Sequence, residues 1–270
     1  MRLPSALVPF AALLVLAPRA ARADDPPPRP VHAIGTELFD VGLGLDLGGR
    51  WFRYSDGLTP NLRPYHVFGP PMPALSAAVY PAAGTRIPVV RDLGVEVAYA
   101  HAFGLASATS GGAAVSTAWD RLDAGLRFRL RTGGPAAPLI GFRGGVGLER
   151  FVIDAQGSLA AEVPNVTYVF LRAGVDGRIP IGRVAVLVHA SYLGALSSGE
   201  VYQRFRGASI GGVDLGGGLA VVIAAGFEAR VGVDYMRWFS AFDPEPGDAY
   251  VAGGALDEML GVHIGAAYVY

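Results

Sequence analysis

The chain contains neither cysteine nor lysine among its 270 residues. Without cysteine there is no disulfide, thiolate metal site, iron–sulfur cluster or cysteine nucleophile, and no thiol to lipidate behind a leader peptide. All 22 basic residues are therefore arginine; the accompanying wealth of Ala, Gly and Pro points to codon usage as part of the cause. Charge is sparse too. Charged residues make up 17% of the chain and the net charge is -1, which argues against an electrostatic nucleic-acid binder. Long apolar runs are missing after the first two dozen residues: the best candidate, residues 219–227, falls far short of the ~18–20 apolar residues a spanning helix needs. No P-loop or HExxH pattern is present. The five histidines (His32, His66, His101, His189 and His263) show no ligand spacing, so no metal and no cofactor is expected.

What the chain does have is apolar content and glycine. Hydrophobic residues reach 51%, mean hydropathy is +0.37, and glycine, at 38 residues, is about twice its usual ~7% share. High hydropathy without spanning helices leaves a closed barrel as the structure that satisfies its backbone in lipid.

The first residues read as a leader. Arg2, an apolar stretch over residues 3–17 and Ala21-Arg22-Ala23 before Asp24 form the secretory pattern, with cleavage expected after Ala23. Residues 24–34 form a proline-rich periplasmic lead-in, and residues 35–270 are left for the barrel.

From there the chain alternates with the period of strands. Over residues 36–54, Phe39, Val41, Leu43, Leu45, Leu47 and Trp51 share one face; Asp40, Gly42, Gly44, Asp46, Gly48 and Arg50 share the other. Residues 121–131 alternate strictly, with Leu122, Ala124, Leu126, Phe128 and Leu130 against Arg121, Asp123, Gly125, Arg127, Arg129 and Arg131. A helix would scatter those arginines round its circumference. Phe39 and Trp51 are twelve residues apart, as are Phe227 and Phe239. At ~3.3 Å per residue and ~40–45° tilt this is roughly 28–30 Å, the separation of two interfacial girdles. Those four residues, with Tyr268 and Tyr270, are the expected girdle aromatics.

The pattern predicts an all-β, closed, antiparallel up-and-down transmembrane β-barrel of about ten strands, an even number that puts both termini in the periplasm. Eight strands would require two to merge, and twelve a hairpin hidden in residues 55–73. Those residues read as a long outer loop, followed by a short strand over residues 74–81. Residues 107–116, 154–164, 197–208 and 241–254 read as further outer loops, and the strands as extending little beyond the bilayer.

The inward parity collects Asp40, Asp46, Arg50, Glu96, Arg127, Arg129, Arg143, Glu149, Arg172, Asp176, Asp214, Glu228, Arg230 and Asp234. Mixed charge in so narrow a lumen is expected to pair into a polar plug, whereas a lining of one sign would have favoured a selective pore.

The closing residues 260–270 alternate Leu260, Val262, Ile264, Ala266 and Tyr268 with small or polar residues and end on Tyr270. Together with the leader and the alternation, this resembles the small outer-membrane β-barrel proteins of Gram-negative bacteria, loosely the OmpA/OmpX/OmpW-like group. The resemblance implies a monomer in the outer membrane, in contact with its lipids and lipopolysaccharide and delivered through the barrel-insertion machinery that reads the last strand. It carries over no functional residues. The leading expectation is a structural or surface-interaction barrel working through its outer loops, with a narrow pore for small or hydrophobic solutes as alternative. A protease of the omptin type would need His/Asp pairs among Asp120, Asp123, Asp154, Asp243, Asp248 and Asp257, and a lipid-modifying enzyme a rim His/Ser pair, for which His101 and Ser107 are the candidates. An enzyme is not expected.

Overall fold

A computed structural model describes residues 35–108, 114–134, 137–154, 163–224 and 226–270. The expected leader and lead-in lie outside them. The strands are β1 (Phe39–Ser55), β2 (Tyr65–Val79), β3 (Leu93–His101), β4 (Ala106–Ala108), β5 (Ala114–Arg131), β6 (Leu139–Ile153), β7 (Val166–Ile181), β8 (Val184–Gly199), β9 (Ser209–Ala224), β10 (Phe227–Ala241) and β11 (Gly254–Val269). Each strand except β3 pairs antiparallel with the next; β3 pairs instead with β5, and β11 returns to β1. Ten strands close the ring, while β4 only lengthens the upper end of β5.

The alternation of apolar and polar residues is what closes it. Leu43 is 67%, Leu45 41% and Leu47 41% exposed, whereas Asp40, Asp46 and Arg50 on the same strand turn inward. The outer face thus offers hydrocarbon an apolar wall, and the strand ladders pair the backbone round the ring apart from the upper edge of β2.

The segment expected as a long loop over residues 55–73 is mostly strand. β2 begins at Tyr65, and the register against β1 slips between Leu47 and Gly49, opposite Phe68–Pro71. Gly69, at φ +98°, takes the left-handed turn of this bulge. The slip inverts parity: Tyr65 and Val67 face inward above it, Met72 and Ala74 below. That inversion, together with Pro70, Pro71 and Pro73, breaks the sequence signal. The prolines are tolerated because β3 pairs with β2 only over Ala74–Val79. Above that, the outer edge of β2 needs no ladder donors, and the Phe103 N–H donates to Pro71 O at 3.0 Å.

Two other expected loops also shorten. β8 runs on to Gly199 and is followed by a one-turn helix α1, Glu200–Arg204. Ser107 belongs to β4, although residues 109–113 of that loop lie outside the described residues.

The strands are longer than expected. Most have 15–18 residues, roughly 37–40 Å along the barrel axis at the usual rise and tilt. The barrel therefore stands proud of the bilayer. The excess lies on the loop side, where Arg53, Asp120, Arg150, Arg237 and Glu258 face outward.

Candidate functional site

Among the described residues, many of the charged side chains converge on the lumen, which is built in layers. Its inward parity supplies every residue, but the chemistry changes with height.

The upper layer is a packed core. Met72, Trp119, Phe151, Val166, Leu193, Trp238 and Met259 are 0% exposed, and Tyr168 and Phe170 are 1% exposed. The inward parity of the sequence predicts a lumen that is polar throughout. The reason it is not lies on the outside of the wall. Trp119 and Phe151 sit inside next to the outward Asp120–Arg150 pair, and Trp238 sits inside next to outward Arg237 and Glu258. Where the exterior meets water, the barrel must hold together as a soluble protein does, by apolar burial. Where the exterior meets lipid, the interior can be polar. The missed signal is in the sequence: Phe52, Trp119, Phe151, Tyr168, Phe170 and Trp238 continue the inward parity above the charged stretch.

Two ion pairs are set into this core. Arg50 binds Asp257 in a fork, Nε to Oδ1 at 2.9 Å and Nη2 to Oδ2 at 2.7 Å, with both side chains almost wholly buried. The Tyr168 hydroxyl donates to the same carboxylate at 3.0 Å. Arg50 also lies 4.2 Å from the Phe151 ring centroid. The second pair is Glu149 with Arg121 (3.0 Å), and Glu149 also accepts from the Trp119 indole N–H.

Below the core is a cavity of about 460 Å³. Asp46, Arg121, Asp123, Arg172, His189, Asp214, Asp234 and His263 line it, along with small residues such as Gly44, Ala74, Ser76 and Ala98. Arg172 reaches Asp123 (3.1 Å) and Asp214 (3.4 Å). One Asp234 oxygen lies 3.2 Å from His263 Nδ1, and the other lies 3.7 Å from His189 Nε2. Asp46 closes no ion pair among the described residues; Arg121 and His263 are its compensating charges.

Arginine forks continue toward the periplasmic end. Arg127 chelates Asp176, and Arg143 binds Glu96 (3.0 Å) and approaches Asp176 (3.5 Å). Arg178 chelates Glu228, which also accepts from Arg230 at 3.0 Å; Arg230 forks onto Asp40 at 3.1 and 2.6 Å. Arg129 closes the series on Glu37. Its neighbour Tyr80, just past the end of β2, accepts from Arg127 at 2.8 Å. Burial pushes the Tyr80 phenol up, so it remains uncharged.

Glycine on the inward parity makes room for these side chains. A Cβ at Gly147 would lie 2.2 Å from Phe170 Cζ, and one at Gly212 would lie 2.8 Å from Trp238 Cε3. The large rings fill the space a side chain at those positions would need.

On the outside, Phe39 packs against Tyr270 (5.4 Å) and Tyr268 (5.9 Å), and Tyr268 against Phe227 (4.8 Å). Near the opposite edge Trp51 meets Phe68 at 6.2 Å, and Phe239 is 44% exposed. The two rim residues considered for catalysis are not together. His101 sits on the outer wall, Nδ1 2.7 Å from Asp120. Ser107 is buried inside, within 2.8 Å of the Tyr65 hydroxyl and 2.6 Å of that of Thr117.

No protein-family model matches the chain, and neither does any curated protein. Several solved structures resemble it. The outer membrane protease OmpT from Escherichia coli is 7% identical over 86% of this chain and 96% of its own, with a TM-score of 0.45. Neisserial surface protein A is 13% identical over 86% and 97%, with a TM-score of 0.36. The Pseudomonas putida toluene transporter TodX is 9% identical over 86% and 89%, with a TM-score of 0.32. At such identities the likeness is one of barrel architecture alone. The closed ring, the apolar outer wall and the ion-paired interior make this chain a closed antiparallel ten-strand transmembrane β-barrel.

Proposed function

We propose that the chain is a non-conducting barrel of the outer membrane that works through its extracellular rim. The observation that carries this reading is the core above the cavity. Trp119, Phe151, Tyr168, Phe170 and Trp238, from both sides of the lumen, are almost completely buried, which supports a lumen closed at that level.

Among the described residues, three loops of the rim are tied together. Phe205 stacks on Phe242 at 4.1 Å, and Arg206 reaches Glu245 (3.3 Å) and Asp248 (3.1 Å), joining the loop after β8 to the loop after β10. Leu58 N–H donates to Val251 O, and the Asn61 amide donates to Ala249 O, which brings in the loop after β1. Three loops thus present one surface to a partner outside the cell. The barrel below them is a monomer seated in lipopolysaccharide and outer-membrane lipid and placed there by the insertion machinery through β11.

Planar-bilayer recording tests the reading. The intact protein gives no conductance steps, and discrete steps from it overturn the proposal. A second reading, passage of small hydrophobic solutes, is favoured by one feature, the edge of β2 over Tyr65–Pro73 that β3 leaves unpaired. Phe68 and Phe103 flank it, 61% and 59% exposed. Protein-dependent uptake of a hydrophobic dye into vesicles, lost when Phe103 is replaced by Arg, would establish it.

A further inference from the structure

The floor of the lumen is made by the start of the described chain. The Leu38 and Phe39 N–H groups both donate to Tyr270 O, and Leu38 O accepts from Tyr80 N–H at 2.7 Å. Four residues before Phe39, Gly35 is buried, and a Cβ there would lie 2.9 Å from Arg131 Cγ and from Leu139 Cδ1. Those side chains belong to β5 and β6, and β6 is four strands round the ring from β1. Four extended residues cover only about 13 Å, so the path runs beneath the lumen and not around its edge.

Glu37 is the middle of this path. Its carboxylate lies 3.0 Å from Arg129 Nη1, and its carbonyl accepts from the same nitrogen at 3.1 Å. The Arg129 side chain is 0% exposed, and its guanidinium lies 3.3 Å from the Tyr80 ring centroid. Glu37 also lines the cavity. It therefore stands between that cavity and the periplasm.

We propose that residues 35–38 are a strap that closes the periplasmic end of the lumen cavity, latched by Glu37 on Arg129. Lifting Glu37 leaves Arg129 buried beside Arg127 without its carboxylate, and an unpaired buried charge of this kind pulls the strap back. Solutes enter from the periplasm only while the latch is open. The inference rests on the reading of the upper lumen as sealed.

A chain without cysteine lets one introduced thiol act as a unique reporter. Ser76→Cys places it on the cavity wall, where a small charged methanethiosulfonate reads access in detergent-folded protein. With the strap intact the thiol reacts slowly. Adding Glu37→Ala speeds it by about tenfold or more, tenfold corresponding to 1.4 kcal/mol taken from the latch. Heat-modifiable migration on a gel checks that the variant folds. If it does not, Glu37→Gln, which keeps the carbonyl contact, takes its place with the same outcomes. Equal rates with and without Glu37 overturn the strap. So does fast reaction of the intact-strap protein when it is silent in planar bilayers, whereas conductance would overturn the sealed-lumen reading beneath it.

Discussion

The indole of Trp238 lies flat on the ring of Tyr168, centroids 4.3 Å apart and 13° from parallel. Phe170 meets the same indole edge-on at 5.2 Å. The stack joins β10 to β7, which are not neighbours in the wall, so it bridges the lumen. Trp238→Ala should cost about 3–5 kcal/mol, read as a lower urea midpoint for unfolding in detergent. It should also produce conductance steps that the parent lacks.

Arg50 and Asp257 give a paired test. Asp257→Leu alone strands a buried guanidinium and should destabilise the barrel by about 3–5 kcal/mol. Replacing both, Arg50→Met with Asp257→Leu, should recover most of that loss, because neither charge is then left unpaired. A double-mutant cycle in urea measures the coupling.

Gly147 and Gly144 stand three residues apart on β6 but face opposite ways. A methyl at Gly147 meets Phe170, while at Gly144 nothing lies within 4 Å. Gly147→Ala should destabilise by about 1–3 kcal/mol. Gly144→Ala should be neutral or stabilising by up to about 1 kcal/mol. The same unfolding assay separates them.

The rim should respond to acid through Asp248. The Glu245 backbone N–H, and then Arg206, hold its carboxyl below the ordinary value of 3.8. A depressed carboxylate contributes stability that is present above 3.8 and lost as pH falls through the lower folded value. The loop contact should therefore survive to below pH 3.8. The Glu245 amide shift followed by NMR should titrate with a midpoint under that value. A midpoint at or above it would show that the contact does not form in solution.

Much of this barrel is legible in the sequence because a strand with lipid on one side is forced to alternate. Leu122 to Arg131 can be read residue by residue, and the arginines and acids of the lower lumen follow from parity alone. Partners do not. That Arg230 takes Asp40 and Glu228, and that Arg50 takes Asp257 across 207 positions of sequence, depend on ring closure and tilt. The upper half of β2 escaped because the Gly69 bulge swaps its faces midway. The upper core escaped for a different reason: its wall meets water outside, so the rule that places polar groups inside stops applying at Trp119 and Trp238.

Tyr270, the last residue, accepts from Leu38 and Phe39 and donates to Phe39 O. The ladder it ends pairs β1 with β11 over sixteen rungs, from Asp40–Val269 to Ser55–Gly254. β1 thus waits for β11, with its edge open until that strand has been made. Pairings so distant in sequence form slowly. The ring therefore closes only once β11 is present, and the open edges of the strands made before it have to be kept from pairing with other chains until then.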